Sequence, residues 1–528
     1  MADYIIVGGG STGSTIASRL SEDPDASVVL FEQGPSDWNP YIHLPVTYYK
    51  TSKGKLLSRY RIEPQQGQNG ASPEFVQARV LGGGSSVNAM VYIRGCPEDY
   101  DTWEAEGAQG WGYKDVLPYF KRAEDNERFS GEVHGQGGPL GVSDIPHVHY
   151  LTKAWIKSCQ EMGIPYNPDF NSGDQSGCGF YQVTMRDGRR CSAAVAYLNP
   201  ARKRGNLKIR TGHKVTRIVI ENGRAVGVEF IENNRRVVMR AEREVIVCSG
   251  AIGSPHLLQV SGIGPAGVLA DAGVKVEVDL PGVGANLQDH LDMIMIYDLN
   301  GPHSYDKYKK LHWQLWAGLQ YGLFRQGPVA SNVCEGGLFW YGDKEDKLPN
   351  LQYHFLPGAG IEAGADSAPS GNGCTLNVYQ TRPRSRGWVR IRSGDAFQPP
   401  AVNPNYLGDP YDLDCMAEAV RIGQEIMQQK SIRKFVGSEY RPGKILRTHE
   451  ERKEYVIGNA QGALHPSGTC RMGSDDMAVV DTQLRVRGVD GLRVADVSVM
   501  PRLVSGNTNA PAIMIGERTS DFIRGNRI

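Results

Sequence analysis

The sequence lacks a net charge, a long apolar run and any closely spaced cysteine pair, and each absence excludes a class of protein. Lysine plus arginine and aspartate plus glutamate both number 58, so no basic surface for nucleic acid is expected. No apolar run approaches the ~20 residues that a membrane-spanning helix needs. The nine cysteines include no C-x-x-C, so neither a zinc site nor a redox dithiol is expected, and no metal site is predicted.

The N-terminus also lacks the basic stretch and apolar core of a secretory signal. Together with the scattered cysteines, this predicts a cytoplasmic protein with free thiols. Peripheral docking on a membrane stays open, and the sequence does not set the oligomeric state. At 528 residues the chain is too long for one ordinary core, so two domains are expected.

Glycine, in contrast, is abundant, and its first cluster directly follows a short apolar strand at residues 4–7. The cluster has the form G-x-G-x-x-G. Gly8 allows a tight turn, Gly10 lets the backbone approach a pyrophosphate, and Gly13 lets strand and helix pack closely. The following helix, over 12–20, directs its free N–H groups and positive end toward that pyrophosphate. This strand–turn–helix pattern predicts a site for an ADP group.

A carboxylate at the end of the next strand supports this prediction. Residues 28–31 form an apolar strand that ends in Glu32, 19 residues after Gly13. A spacing of about 20 is typical of the carboxylate that binds the adenosine ribose hydroxyls. An acidic residue at this place disfavours a 2′-phosphate.

Two later glycine-rich turns extend the predicted site. The loop at residues 80–90 offers bare backbone, which suits the flat face and polar edge of an aromatic cofactor. The apolar strand 245–248 ends at Ser249, Gly250 and Ala251, where open α/β sheets bind ligands. We predict that a helix begins after this turn, at Ser254.

Strand patterns elsewhere predict antiparallel structure. Residues 207–239 show short alternating strands with hairpin turns, which indicates a meander inserted in the parallel fold. Residues 301–455 are rich in aromatic side chains and carry separate strands. At 351–355 apolar and polar residues alternate, so a polar strand face with Gln352 and His354 is expected over a substrate pocket.

Six motifs follow one another along the chain: the opening G-x-G-x-x-G, residues 81–88, residues 250–264, residues 280–290, the segment around His465 and the segment around Asn507. In this order they resemble the glucose–methanol–choline (GMC) oxidoreductases over nearly the whole chain. Segments 158–170 and 310–321 are further similar to those of bacterial FAD-linked L-sorbose dehydrogenases. More distantly, the chain is similar to medium-chain alcohol and polyethylene glycol dehydrogenases.

The residue patterns and the resemblance together predict an α/β fold with an α+β second domain. A Rossmann-like FAD-binding domain, with a parallel sheet and an inserted β-meander, would comprise residues 1–145, 201–300 and 456–528. An interleaved substrate domain with an antiparallel sheet would comprise residues 146–200 and 301–455.

The resemblance implies FAD as the cofactor. Some members carry a histidine bonded covalently to the flavin; Val87 stands at that position here, so FAD should be held without a covalent bond. Asp496 resembles the acid near the pyrophosphate and ribityl groups, and Val215 the residue whose backbone meets adenine. The predicted cofactor-binding residues are Gly8, Gly10, Ser11, Thr12, Gly13, Glu32, Gly82, Gly83, Ser85, Asn88, Ala89, Met90, Val91, Val215, Gly250, Ala251, Asp496, Val497, Asn507, Thr508 and Asn509.

The chemistry of alcohol oxidation indicates the catalytic residues. Hydride leaves the carbinol carbon for flavin N5, and a base must take the hydroxyl proton, whose pKa is about as high as that of water, near 15.7. Histidine titrates near neutrality and suits this role. His465 matches the catalytic histidine of the family. Asn507 matches its partner, which can orient the substrate oxygen but cannot take the proton.

The predicted substrate-binding residues are Glu335, His354, His465 and Asn507, whereas His256 and His290 are interpreted as structural. The implied reaction is the oxidation of a primary hydroxyl, with L-sorbose converted to L-sorbosone. Electrons would pass to a quinone or an artificial acceptor. Alternatives are an oxidase or dehydrogenase of other aliphatic or aromatic alcohols or polyethylene glycol, a flavin-dependent lyase or photodecarboxylase, and a flavin-binding protein without activity.

Overall fold

A computed structural model describes residues 1–51, 53–343, 346–361 and 366–525 of the chain. Two large β-sheets organise these residues, one mainly parallel and one antiparallel. The mixed α/β fold with a separate antiparallel sheet confirms the predicted fold class.

The parallel sheet is built around the N-terminal strand. Across the sheet its strands are Leu207–Thr211, Val28–Glu32, Ala2–Val7, the second half of Arg235–Val247, and Leu492–Val494. In the central strand, residues 5–7 lie opposite residues 29–31 on one side and residues 245–247 on the other, and all nine are apolar. Such runs are buried on both faces, which is typical of parallel sheets covered by helices.

The meander continues directly from this sheet. The first half of Arg235–Val247 pairs antiparallel with Arg224–Glu232, which pairs with Val215–Glu221. The prediction that residues 207–211 belong to the meander is wrong, because Leu207 pairs in parallel with Val28 at the sheet edge. An edge strand is half exposed and alternates like a meander strand, so the pattern alone does not separate them.

The antiparallel sheet draws its strands from distant parts of the chain. Across the sheet these are Val436–Arg441, Leu291–Leu299, Gly373–Gln380, Leu351–Leu356, Gly336–Trp340 and Gly177–Phe180, and Gln461–Gly462 pairs with the second of them. The strand Leu291–Leu299 belongs to this sheet, although the predicted domain limits assign it to the FAD-binding part.

Helices cover both sheets. The longer ones are Ser11–Leu20, Pro97–Ala105, Tyr113–Ala123, Tyr150–Glu161, Gly250–Val260, Leu311–Phe324, Pro410–Gln428, His449–Asn459 and Asn509–Arg524. Shorter strand pairs include Leu57–Arg61 with Glu74–Ala78 and Trp388–Arg390 with Ala401–Asn403. Within the described ranges, no helix has both the length and the apolar character needed to cross a membrane.

The helix Gly250–Val260 begins four residues before its predicted start and contains Pro255. Proline lacks the N–H that would bond the carbonyl of the residue four positions earlier, Ala251. That carbonyl instead accepts a hydrogen bond from Thr469 Oγ1 at 2.6 Å. A partner 218 residues away therefore allows a helix where the local sequence indicates a boundary.

Candidate active site

A cavity of about 440 Å³ extends from the first glycine turn to the antiparallel sheet. Most of the predicted site residues line it: Gly8, Gly10, Ser11, Thr12, Glu32, Gly83, Asn88, Ala89, Met90, Val91, Val215, His354, Gly250, His465, Asp496, Val497, Asn507, Thr508 and Asn509. Val87 lines it as well, and so does His256. Gly13, Gly82, Ser85, Ala251 and Glu335 do not.

The first glycine turn has the geometry that its sequence predicts. Gly8 has a φ of +109°, which favours glycine. A Cβ on Gly13 would lie 2.0 Å from the Gly8 carbonyl oxygen, so strand and helix approach too closely for any side chain. A Cβ on Gly10, in contrast, would meet no atom within 4 Å and would project into the cavity. Gly10 therefore leaves room for a ligand, whereas Gly13 serves packing.

Glu32 closes the turn through its carboxylate. Its two oxygens accept backbone hydrogen bonds from Gly9 at 3.0 Å and Gly34 at 2.7 Å. Burial raises the pKa of this carboxyl, and the two backbone N–H groups oppose that effect. The side chain also lines the cavity, and a carboxylate with two accepted bonds keeps further lone pairs for the predicted ribose hydroxyls.

Three helices begin at the cavity wall. They are Ser11–Leu20, Gly250–Val260 and Asn509–Arg524, and each contributes first-turn residues to the lining. Asp496 fixes the start of the second helix, because its carboxylate accepts from Gly250 N at 2.9 Å and from Ser254 Oγ at 2.6 Å. Three positive helix ends around one space favour a ligand with negative groups, such as a pyrophosphate.

The start of the C-terminal helix differs in detail from the prediction. Pro511 lies in its first turn as expected, but the Thr508 side chain makes no capping hydrogen bond. Asn509 Oδ1 instead accepts from Ser11 Oγ at 2.8 Å, while its buried Nδ2 has no protein partner among the described residues. A buried amide donor on the wall of this cavity needs an acceptor from a ligand. Together with the glycine cradle, these groups fit FAD.

At the other end of the cavity, His465 and His290 form a hydrogen-bonded pair. Their Nδ1 atoms are 3.0 Å apart, and His290 Nε2 lies 3.0 Å from the Val504 carbonyl oxygen. Because a carbonyl only accepts, His290 Nε2 carries its proton, and its Nδ1 accepts from His465 Nδ1–H. This leaves His465 Nε2 unprotonated, with a lone pair that accepts from Asn507 Nδ2 at 3.4 Å.

Burial keeps these imidazoles neutral. It lowers the pKa of His465 to about 4, and it lowers that of His290 well below the usual value, with His465 as a second cause. The backbone N–H of His465 donates to Asp289 at 2.7 Å, which fixes the backbone that carries the ring. The site thus holds an unprotonated nitrogen base at neutral pH.

The polar strand face predicted at residues 351–355 lies beside this base. Gln352 Nε2 donates to Asn507 Oδ1 at 3.2 Å, so the Asn507 amide directs its N–H₂ group toward His465. His354 lines the cavity, and burial lowers its pKa to about 3. Leu351, Tyr353 and Phe355 belong to the apolar core on the opposite face. The predicted alternation is confirmed.

Glu335 does not reach the cavity, in contrast to the predicted substrate contact. It is fully buried just before the strand Gly336–Trp340, and its oxygens accept from Tyr305, Ser331 and Thr152 at 2.6 to 2.7 Å and from the backbone of His149. Through these four hydrogen bonds the carboxylate connects separate segments of the chain, so its role is structural. The sequence could not indicate this because the partners come from three separate segments.

His290 and Gln352 are the functional candidates that sequence reasoning missed. The sequence predicts a structural role for His290, yet its hydrogen bond to His465 sets the tautomer of that residue. The one sequence signal for this role is that His290 ends the family motif at residues 280–290. Gln352 was expected on the polar face, but its partner Asn507 is 155 residues away.

A dinucleotide cradle beside a buried, neutral imidazole defines a cofactor-dependent oxidoreductase, and comparison with known proteins identifies the family. The chain matches the GMC oxidoreductase profiles, the N-terminal one over residues 2–292 and the C-terminal one over 383–516. It is 41% identical to an alcohol dehydrogenase [acceptor] of Pseudomonas putida and 42% identical to an oxygen-dependent choline dehydrogenase of Sinorhizobium fredii, each match covering 99% of this chain and 96% of the relative.

Solved structures with a similar fold support the same assignment to a family. Pyridoxine 4-oxidase from Mesorbium loti is 31% identical with a TM-score of 0.90 and 100% coverage of both chains. A formate oxidase variant from Aspergillus oryzae is 26% identical with a TM-score of 0.93, covering 99% of this chain and 98% of its own. The chain therefore belongs to the GMC oxidoreductase family. It is an FAD-binding oxidoreductase, as predicted, whereas the finer resemblance to L-sorbose dehydrogenases stays a prediction because these relatives carry other names.

Proposed function

We propose that the chain oxidises a primary alcohol, with His465 as the general base and Asn507 as the group that orients the hydroxyl. The observation that carries this proposal is the unprotonated state of His465 Nε2, which follows from the hydrogen bonds of His290 to the Val504 carbonyl and to His465 Nδ1. When bound, FAD supplies the acceptor for the hydride that leaves the carbinol carbon. The alcohol thereby loses one hydride and one proton and becomes an aldehyde.

His465 takes the proton from the hydroxyl at Nε2. Its Nδ1–H continues to donate to His290 as the ring becomes positive, and a hydrogen bond to a charged group is stronger than one between neutral groups. The Asn507 amide, held by Gln352, donates to the substrate oxygen and cannot compete for its proton. Such a pair argues against a lyase, a photodecarboxylase or an inactive flavin carrier, which need no alcohol base.

The substrate is proposed to be L-sorbose, oxidised at C1 to L-sorbosone, with a quinone or artificial dye as electron acceptor. The polar and aromatic lining near His465, which includes His354, Tyr379 and Gln461, supports a polyhydroxylated substrate. The test is a dye-linked screen of L-sorbose, choline and simple primary alcohols, with and without air. If the protein oxidises none of these alcohols, the proposal is wrong. If turnover is faster with oxygen than with the dye, the proposed electron acceptor is wrong.

Choline is a second candidate because Asp292 and the Tyr379 ring line the reactive end of the cavity. A carboxylate near an aromatic ring suits a quaternary ammonium group. We expect Asp292→Asn to raise the KM for choline by about 10-fold, since it removes one charge partner, and to change the KM for L-sorbose by less than about 2-fold. Steady-state kinetics with both alcohols measures this. If the KM changes equally for both substrates, Asp292 does not contact the ammonium group of choline.

A bound FAD without a covalent link is expected to leave the protein on denaturation. Val87 offers no nucleophilic atom where it lines the cavity. After acid or heat precipitation, the yellow chromophore should therefore remain entirely in the supernatant, as its absorbance would show. Colour that stays with the precipitate would contradict the role given to Val87.

His290→Phe is expected to lower kcat about 10-fold or more with little change in KM. It removes the acceptor of His465 Nδ1–H, and hydrogen bonds to charged groups contribute about 1.5–3 kcal/mol. His290→Gln retains an acceptor oxygen and should recover part of the loss. FAD content and melting temperature serve as controls for folding. If both variants keep the native kcat, His290 has no positioning role.

A further inference from the structure

The helix Leu311–Phe324 leaves an unusual amount of apolar surface exposed. Seven of the nineteen exposed large hydrophobic side chains in the described part of the chain lie on it: Leu311, Trp313, Leu315, Trp316, Leu319, Leu323 and Phe324, each between 37% and 69% exposed. Soluble proteins rarely expose contiguous apolar patches of this kind unless they bind something.

The helix contacts the rest of the protein along a narrow strip. Only Ala317 and Tyr321 are buried, and the Tyr321 hydroxyl donates to the Gly188 carbonyl at 3.0 Å. At 3.6 residues per turn, the four leucines and Trp316 fall on the opposite side, together with His312 and Gly322. The outward face is therefore apolar along its whole length and carries no acidic residue.

Basic residues lie at both ends of this face. Lys307, Lys309 and Lys310 precede the helix and Arg325 follows it, while residues 307–334 contain no aspartate or glutamate. Lys309 pairs with Asp306 at 2.8 Å, and Lys307 lies over the rings of Tyr308 and Trp313. Lysine and arginine beside tryptophan and leucine are typical of helices that lie in a membrane interface.

We propose that the helix Leu311–Phe324 docks the protein on an anionic lipid bilayer. The apolar face would enter the boundary between headgroups and acyl chains, and the flanking cations would bind the headgroups. Charge complementarity favours a bilayer over a second copy of the chain. A two-fold interface through this helix would bring two sets of like cations together, whereas anionic headgroups neutralise them.

The position of the helix fits a role for such docking. Just after the helix, Pro328–Ala330 packs against Pro45–Thr47, and Tyr48 directly after that segment lines the cavity. The helix is thus linked through these two short segments to one wall of the cavity, and its docking would set which side of the molecule faces the bilayer. A lipid-soluble alcohol or electron acceptor would be concentrated on that side.

The test is flotation of the FAD-loaded full chain with phosphatidylcholine vesicles containing about one third phosphatidylglycerol. We expect the native protein to float, and the triple variant Leu315→Ser, Leu319→Ser, Leu323→Ser to partition at least about 10-fold more weakly, since it removes most of the inserted apolar area. A control triple variant, Val238→Ser, Val276→Ser, Met477→Ser, changes exposed apolar residues elsewhere and should float like the native protein.

Two further arms complete the experiment. Lys310→Gln with Arg325→Gln, or vesicles of phosphatidylcholine alone, should each weaken binding several-fold. Dye-linked activity on a water-soluble alcohol should be unchanged in all variants, which shows that they are folded. Native protein that stays unbound with the anionic vesicles would overturn the proposal. So would a dimer, by light scattering, that the leucine variant dissociates while no vesicle binding is found.

Discussion

Replacing His465 by alanine is expected to leave FAD bound and to slow anaerobic reduction of the flavin by the alcohol by about 10²-fold or more. A positioned general base contributes about 10²- to 10⁴-fold, and His465 Nε2 is the unprotonated nitrogen that accepts from the Asn507 amide. Stopped-flow absorbance measures the rate constant. His449→Ala, at an exposed surface histidine, is the matched control and should reduce at the native rate.

The pH dependence gives a second measurement on the same residue. Burial lowers the pKa of His465 to about 4, so the neutral base is present above that value and is lost by protonation below it. The reduction rate of the native protein should therefore be flat from neutral pH to about 5 and then fall as the pH decreases through about 4. Native rates in the alanine variant would remove His465 from the mechanism.

The predictions that the structure confirms depend on local sequence patterns. The glycine turn, Glu32 and the alternation at 351–355 each depend on neighbours within one strand–turn–helix unit or one strand, where spacing determines geometry. The turn conformation of Gly8 and the packing at Gly13 follow from this. Family resemblance then placed His465 and Asn507 at one end of the cavity, which no local pattern could do.

The misplaced predictions all depend on partners distant in sequence. Glu335 precedes a strand of the antiparallel sheet, but its direction is set by Tyr305 and Thr152. The start of the helix at Gly250 depends on Thr469, and the role of His290 depends on Val504. A single sequence contains each of these residues but not their contacts, because such contacts form only when the two sheets pack together.

Gly10→Ala is expected to weaken FAD binding strongly while leaving the apo protein folded. The backbone at Gly10 has a φ of −74°, which alanine adopts without strain, and a Cβ there would meet no protein atom within 4 Å. It would instead occupy cavity space that a pyrophosphate needs for close approach to the backbone. We expect the Kd for FAD to rise by about 10²-fold, measured by titration of the apo protein.

Gly13→Ala provides the matched contrast, because its Cβ would lie 2.0 Å from the Gly8 carbonyl oxygen and force strand and helix apart. This variant should lose both FAD and thermal stability, whereas Gly10→Ala should lose FAD but keep the melting temperature of the apo native protein. Overpacking of this kind costs about 1–3 kcal/mol or more, since the obstacle is backbone. If Gly10→Ala binds FAD with native affinity, the cofactor does not approach the backbone at this turn, and the assignment of the cradle to the pyrophosphate fails.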